Sequence, residues 1–167
     1  MRGALLGLCC LTLGCGGAAS EPVTPEPAAA SPSPPALTLV ESWPVETTLD
    51  HPGIPDAREL WPQLIGEASS SLDMLFFYGV TEEGEALEPV IAAIEAAAAR
   101  GVRVRMVFDA MFHARMPEVP DALGAIEGVE VRILDFGPHA GGGVQHAKLF
   151  VVDGRAAFVG SQNFDWR

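Results

Sequence analysis

Residues 146–167 read HAKLFVVDGRAAFVGSQNFDWR, and this stretch decides the fold expected around it. Its two apolar runs, 146–152 and 156–160, are separated by an Asp-Gly pair, which is typical of a tight β-hairpin. Because alternate side chains of a strand share a face, His146 and Lys148 are expected to project together. The stretch therefore predicts a hairpin that presents an imidazole beside an ammonium group.

The residue types in this hairpin suit attack on a phosphodiester. An imidazole is available as a neutral nucleophile near neutral pH, and ammonium, amide or hydroxyl groups can hold the non-bridging phosphate oxygens. Lys148 is the only lysine of the chain, against nine arginines, which favours a specific role for its compact charge. The candidate residues are His146, Lys148 and Asp153 in the pattern H-x-K-x4-D, and Gly160, Ser161 and Asn163 in G-S-x-N. For Asp153, a role in forming the turn explains its presence as well as a catalytic role does.

Upstream of the hairpin, the apolar pattern alternates between helices and strands. This order predicts right-handed crossovers and parallel pairing, to which the hairpin adds antiparallel strands. The predicted fold class is therefore α/β, with a mixed, largely parallel sheet flanked by helices. Pro62 falls inside the first helical pattern, so the regular helix is expected to begin close before it. The helical patterns cover residues 55–69, 86–100 and 120–127, and the strand patterns cover residues 71–78, 102–109 and 129–134.

The first 36 residues differ in composition from the rest. Residues 1–15 resemble an export signal with a lipobox, in which Cys15 would carry the lipid; a plain signal peptide cut near residues 17–19 is the alternative. Its apolar run of about ten residues is too short to cross a bilayer, which needs ~20. The Pro-, Ala- and Ser-rich composition of residues 16–36 predicts an extended linker. Residues 37–167 are interpreted as the domain. The expected location is outside the cytoplasm, on a membrane through the lipid anchor, or else periplasmic or secreted.

Charge and cysteine content exclude several classes of function. The formal net charge of -12 repels polyanions, which argues against sequence-blind binding of nucleic acid over the whole surface. Acidic residues concentrate between positions 41 and 130, whereas residues 131–167 carry a slight basic excess, so a phosphate-binding surface is expected there. All three cysteines lie in the first 15 residues. The domain therefore has neither disulfides nor thiolate metal sites.

The run from His146 to Arg167 resembles the signature of the phospholipase D superfamily. Its last four residues, and the upstream segments 40–44 and 61–78, are similar to the branch of endolysosomal phospholipase-D-like exonucleases and poxvirus envelope phospholipase-like proteins. By this resemblance His146 would form a phosphohistidine intermediate or act as the general acid. Lys148 and Asn163 would bind the phosphate, Asp153 would be structural, and Gly160 and Ser161 would support the site. No metal or other cofactor is implied.

The chain departs from this family pattern in its number of motifs. Displacement through a covalent histidine needs a second histidine to protonate the leaving oxygen, and the family takes it from a second motif copy or a homodimer partner. His51, His113 and His139 start no second copy; His51 and His113 are interpreted as surface residues, and His139 as a solvated loop residue. An acidic residue expected about a dozen positions beyond Asn163 is also missing. The chain is therefore expected to be the first half of a longer two-motif protein, or otherwise half of a homodimer.

Three functions follow. The leading hypothesis is a phospholipase-D-type phosphodiesterase that acts on a phospholipid or on single-stranded nucleic acid and is active only with a second motif copy. The alternative is a non-catalytic or truncated lipoprotein that binds phosphate groups or complements a partner half. A phosphatidyltransferase, in which an alcohol resolves the intermediate, is the third hypothesis. A lipid anchor would bring phospholipid within reach, whereas the acidic surface disfavours long duplexes.

Overall fold

The computed structural model describes residues 36–44 and 47–165. The predicted export signal with Cys15, and the predicted linker up to residue 35, lie outside these residues. The domain is one unit from Leu37 onward. Within the described ranges, the helices are too short or too polar for any of them to cross a membrane.

Four helices and seven short strands follow one another in the part of the chain that the structure describes. Most of them coincide with the apolar patterns of the sequence, and the strand over residues 129–134 has the predicted bounds. The elements are α1 (Ala57–Gly66), β1 (Ser71–Leu75), β2 (Gly79–Val80), α2 (Glu88–Ala99), β3 (Arg103–Asp109), α3 (Ala110–His113), α4 (Glu118–Gly124), β4 (Val129–Leu134), β5 (Leu149–Val152), β6 (Ala156–Val159) and β7 (Phe164–Asp165).

Five of the strands form one sheet in the order β4-β3-β1-β5-β6. The pairs β1/β3 and β3/β4 are parallel, whereas β1/β5 and β5/β6 are antiparallel. The predicted mixed α/β sheet is therefore confirmed, and the later half of the chain supplies its antiparallel part. Strands β2 and β7 form a separate parallel pair.

The core lies on one face of the sheet. Inward residues of β1, β3 and β5 belong to the same buried cluster as the apolar faces of α1 and α2. Trp61 of α1 is central to it, because its ring contacts Phe76, Phe150 and Phe158 at centroid distances of 5.6, 5.7 and 5.0 Å. Burial of one such aromatic side chain contributes about 1.5–3 kcal/mol to the stability of the fold. On the opposite face the alternate positions are exposed or half-buried, and Arg105 bonds Asp73 there at 2.6 Å.

The hairpin turn between β5 and β6 is confirmed. Asp153 and Gly154 both have a positive φ, of 53° and 64°, and the Arg155 N–H donates to the Val152 carbonyl at 2.9 Å. This turn has the positive φ values that an Asp-Gly pair favours in hairpins, and it leaves three residues between the paired Val152 and Ala156. It fixes the register in which β5 and β6 pair.

Three details of the sequence prediction were wrong. Helix α1 begins at Ala57, five residues before Pro62, because Asp56 caps it and its buried face of Ala57, Trp61 and Ile65 outweighs the one hydrogen bond that Pro62 removes. Strand β5 begins at Leu149, so His146 and Lys148 lie before it. The predicted strand over 71–78 stops at Leu75, and the chain then changes direction to form β2.

Candidate active site

The two parts of the motif region are joined by one backbone bond. The Gly160 N–H donates to the Lys148 carbonyl at 3.1 Å and extends the β5/β6 ladder by one step beyond the regular strands. A glycine suits this position, because the Cβ atom of any other residue would lie only 2.8 Å from Cζ of Phe158. The patterns H-x-K and G-S-x-N therefore meet at one end of the hairpin.

Lys148 is buried although its side chain is charged, with 7% of its surface exposed. Its Nζ atom donates to the carbonyl of His146 at 2.9 Å and lies 3.0 and 3.1 Å from Nδ1 and Nε2 of the same residue. Loss of water around the ammonium group lowers the pKa of Lys148 from its ordinary value. The lysine side chain thus turns back over the histidine that precedes it.

The two nearly equal Nζ distances define where the ammonium lies relative to the imidazole of His146. An atom equally close to both ring nitrogens cannot lie in the ring plane, because it would collide with Cε1 between them. The ammonium therefore lies above the ring face, whereas the nitrogen lone pair lies in the plane. The in-plane lone pair of the imidazole is therefore not directed at the ammonium.

Aromatic side chains form the wall behind these two residues. The Phe77 ring lies 4.4 Å from the His146 ring, at an interplanar angle of 43°, and its centroid lies 4.2 Å from Lys148 Nζ. Tyr78 and Phe112 pack against Phe77 edge-on, with centroid distances of 4.5 and 4.8 Å. This wall was not identified from the sequence, although three consecutive aromatic residues at the end of a buried strand were its signal.

Two buried aspartates hold the backbone around the wall. Asp109, at the end of β3, accepts from the N–H groups of Met111 and Gln145, both at 2.9 Å, and so fixes the residue before His146. Asp165 accepts from the Tyr78 hydroxyl at 2.5 Å. Neither aspartate was singled out from the sequence; an acidic residue that closes an apolar strand was the available signal for Asp109.

Asn163 and Ser161 lie in the segment between β6 and β7. Asn163 is half-buried and immediately precedes Phe164, which pairs with Gly79. The same register brings Asn163 beside Tyr78, whereas Ser161 is exposed and directly follows Gly160. The structure thus brings the G-S-x-N segment to the end of the sheet that carries the aromatic wall.

Asp153 lies at the opposite end of β5 from His146 and Lys148. Its carboxylate accepts five hydrogen bonds of 2.7–2.9 Å, from the N–H groups of residues 69–71 and the hydroxyls of Ser69 and Ser70. These donors, led by the backbone N–H of Ser71, hold the pKa of Asp153 well below its usual range. Its contacts are therefore with the first residue of β1 and the two residues before it.

The other three histidines lie apart from this end of the hairpin. His51 is exposed and faces Glu41 at 3.9 Å, and His139 is exposed in the turn after β4. His113 is more buried than the sequence suggested: a quarter of its side chain is exposed, and Nε2 lies 2.8 Å from Asp121. Within the described ranges, no three His, Cys, Asp or Glu side chains converge as metal ligands would.

A cavity of about 580 Å³ lies on another side of the G-S-x-N segment. The segment 42–44, the first turns of α1 and α2, and the side chains of Gln162 and Asp165 line it. His146 and Lys148 are not among its lining residues. The pair of His146 and Lys148 is therefore separate from this cavity.

A family model described as "Cardiolipin synthase, PLD-like domain" matches residues 62–167. Phospholipase D Z of Dictyostelium discoideum is 34% identical over 119 residues, which are 66% of this chain and 28% of the relative. The human 5'-3' exonuclease PLD3 is 35% identical over 144 residues, or 77% of this chain and 28% of the relative. The chain thus spans little more than a quarter of the length of these curated relatives.

Solved structures show the same fold. Nuc from Salmonella typhimurium, a phospholipase D family member, superposes with a TM-score of 0.53 at 27% identity, over 65% of each chain. NucT from Helicobacter pylori superposes with a TM-score of 0.54 over 64% of this chain and 65% of its own. At 19% identity the second likeness concerns the fold alone.

Proposed function

Since this chain belongs to the family of PLD-like domains, we propose that it supplies one half-site of a phosphodiesterase in which His146 is the nucleophile. The observation that carries the proposal is the position of Lys148 Nζ above the imidazole face. A cation there can hold a non-bridging oxygen of the substrate while the in-plane lone pair of His146 stays directed at phosphorus. Asn163 provides the second group for these oxygens.

The proposed reaction has two displacements. A ring nitrogen of His146 forms a bond to phosphorus while the bond from phosphorus to the leaving oxygen breaks, and a second histidine gives its proton to that oxygen. Water then attacks phosphorus, the phosphorus–nitrogen bond breaks, and the proton of the water passes to the second histidine. We propose that this second histidine comes from another motif copy, on a longer chain or on a second copy of this one.

Asp153 has a structural role in this proposal. Its five hydrogen bonds tie the hairpin to residues 69–71, so β5 is held against β1 and the residues before β5 are held at the aromatic wall. Gly160 and Ser161 shape the segment that leads to Asn163. Catalysis then depends on His146, Lys148 and Asn163, and the fold depends on Asp153.

Turnover of bis(p-nitrophenyl) phosphate tests the nucleophile. His146→Ala is expected to lower kcat/KM at least ~10³-fold, because the covalent route is removed. His139→Ala is the control, since it removes an exposed histidine from the loop just upstream; it should stay within twofold of the parent chain. Equal turnover by His146→Ala and the parent chain would contradict the mechanism.

The same assay addresses the second motif copy. If a homodimer completes the site, the specific activity rises with protein concentration, in step with the dimer fraction measured by size-exclusion chromatography. A folded chain that is inactive at every concentration but binds phosphate favours the non-catalytic alternative, which the single motif copy supports. Full turnover by a strict monomer would refute the need for a second histidine.

The substrate class is proposed as a phospholipid or a single-stranded nucleic acid. Relatives carry the names of both activities, phospholipase D and 5'-3' exonuclease. Release of headgroup from phospholipid vesicles, measured beside shortening of a labelled single-stranded oligonucleotide, separates them. Transfer of the lipid phosphate to added alcohol in the first assay would identify the phosphatidyltransferase.

We also propose export with a lipid on Cys15, on the strength of the lipobox-like residues 11–15 and the proline-rich segment that follows. Radiolabelled palmitate should enter the chain when it is expressed in a bacterium and should be lost in Cys15→Ser. Cys10→Ser is the control, because it removes a neighbouring cysteine of the same apolar run. Labelling that survives Cys15→Ser would rule out this anchor.

A further inference from the structure

Phe77 contacts both side chains of the proposed half-site. Its ring centroid lies 4.2 Å from Lys148 Nζ and 4.4 Å from the centroid of the His146 ring. Only 6% of its surface is exposed, and it lies two residues beyond the end of β1. It therefore contacts the buried ammonium and the exposed imidazole together.

We propose that Phe77 is a positioning residue for the half-site: it keeps Lys148 charged where water is excluded and sets the tilt of the His146 ring. The proposal rests on the function proposed above for these two side chains. An ammonium over an aromatic face is stabilised by the ring quadrupole, most strongly where water is excluded. The tilted contact between the two rings likewise favours one orientation of the imidazole.

The environment of Phe77 holds its ring at a defined angle. Tyr78 and Phe112 pack edge-on against it, at interplanar angles of 88° and 89°. Tyr78 is in turn bonded through its hydroxyl to Asp165 of β7. A ring fixed between two perpendicular neighbours cannot turn away from Lys148 without displacing them. An aliphatic residue of similar volume fills the same space but has no quadrupole.

Titratable side chains lie on the elements packed around this cluster, whereas the lowered pKa of Lys148 is due to its burial. His146 approaches from the loop before β5, and Asp109 is bonded to the backbone at the end of β3. Asp165 faces the cluster through Tyr78, and His113 of α3 is paired with Asp121. A substitution at Phe77 leaves all of these in place. A change in the titration of Lys148 in such a variant thus reports on the ring itself.

The presence of a single lysine allows a direct measurement. Lysine labelled with ¹³C at Cε and ¹⁵N at Nζ gives one side-chain signal, which is that of Lys148, and its pH titration needs no turnover. In Phe77→Leu the midpoint should move to lower pH by roughly half a unit to one unit, because the cation loses the aromatic face. In Phe77→Tyr, which keeps that face, the midpoint should return to the parent value.

Phe112→Leu is the matched control. The Phe112 ring packs against Phe77 and Tyr78, and leucine at this position keeps most of the volume that supports the Phe77 ring while leaving that ring beside Lys148. It should leave the Lys148 midpoint within about 0.2 of the parent value. Should Phe77→Leu fail to fold, as judged by circular dichroism, Phe77→Met replaces it, since methionine fills irregular space without a ring face. Identical titration curves for the parent chain and the folded aliphatic variant would overturn the proposal.

A kinetic measurement shows whether the effect reaches the reaction. With bis(p-nitrophenyl) phosphate, Phe77→Leu should lower kcat roughly tenfold, change KM little, and move the alkaline limb of the pH–rate profile to lower pH. A shifted Lys148 midpoint together with equal turnover by His146→Ala and the parent chain would refute the proposed function and leave the role of Phe77 intact. An unshifted midpoint together with normal kinetics would refute the role of Phe77 and leave the proposed function intact.

Discussion

The two ends of strand β5 carry the two halves of one eight-residue motif, and they differ in almost every physical respect. At the start, Lys148 holds a buried charge against aromatic rings, and its pKa is lowered by loss of water. At the end, the carboxylate of Asp153 is saturated by five hydrogen bonds, and its pKa is lowered by those donors. The first end holds a charge that the fold disfavours, and the second a charge that the fold stabilises.

This difference supports the proposal that Asp153 stabilises the site and that Lys148 acts in it. A group whose hydrogen bonds are all made within the protein has nothing left to offer a ligand, whereas a desolvated cation gains from any anion that arrives. The comparison predicts that substitution of Lys148 removes activity without loss of stability. It predicts that substitution of Asp153 lowers stability and leaves the activity of the folded protein largely unchanged.

Lys148→Met gives the largest expected effect. Its kcat/KM on bis(p-nitrophenyl) phosphate should fall roughly 10²–10³-fold, because a charge that stabilises the transition state is lost. Its Tm in a thermal melt should stay level or rise, because a buried ammonium is removed. Arg155→Met, which removes an exposed cation from the same hairpin, is the control and should change neither quantity. A marked fall in the Tm of Lys148→Met would abolish the distinction between the two ends.

Asp153→Asn is the reciprocal experiment. The Tm is expected to fall by roughly 5–10 °C, because the uncharged amide accepts fewer of the five hydrogen bonds. The kcat/KM of the folded fraction should stay within about threefold of the parent value. Asp153→Gly distinguishes the effect of the five carboxylate hydrogen bonds from that of the turn conformation. Glycine adopts the positive φ more readily but makes no side-chain bonds. A glycine variant as stable as the parent chain would show that only the turn matters.

Gly160→Ala tests the junction between the two motif parts. The added Cβ would lie 2.8 Å from Cζ of Phe158, whose ring is stacked on Phe150 in the core. Overpacking of this kind costs about 1–3 kcal/mol, or roughly 3–8 °C in Tm. Gly66→Ala is the control, because nothing lies within 4 Å of the Cβ position at that helix end. Equal melting temperatures for the two variants would show that the contact with Phe158 relaxes freely.

Acid should remove the contribution of Asp153 gradually. Because the pKa of Asp153 in the folded chain lies below its unfolded value, its stabilising effect is present above the ordinary carboxyl pKa and is lost as the pH falls below ~4. Denaturant unfolding of the parent chain and Asp153→Asn between pH 7 and pH 2 should therefore give free energies that differ most at neutral pH and converge in acid. A constant difference would assign the effect to shape rather than to charge.

The sheet and its hairpin were predictable because their signals are local. The strand over residues 129–134 is a continuous apolar alternation that ends at turn residues, and the Asp-Gly pair specifies a turn with two positive φ values. Residues 146 and 147 look like a continuation of the next strand, yet the ladder extends only to Lys148. The reason is tertiary: Asp109, 36 residues upstream, accepts a hydrogen bond from the Gln145 N–H just before His146, which local pattern cannot indicate.

The candidate site was predictable only in part, because some of its residues meet only through long-range contacts. His146, Lys148 and Asn163 follow from residue chemistry and spacing, and whether they act as proposed stays a prediction. Phe77, Asp109 and Asp165 became visible only when distant segments met at one end of the sheet. An aromatic residue in an apolar strand is most often core, and nothing in the pattern distinguishes one that faces a cation.

The hydrogen bonds of Asp153 close a loop of 82–84 residues, since they join the segment before β1 to the hairpin. Strand β5 pairs with β1 over a similar separation. Long loops close late in folding because their entropic cost comes before any contact repays it. The helices and parallel strands can assemble first, while the hairpin docks afterwards and carries Lys148 to Phe77. The segments of the proposed half-site are therefore expected to meet last, and on the ribosome they must wait for Asn163 to emerge.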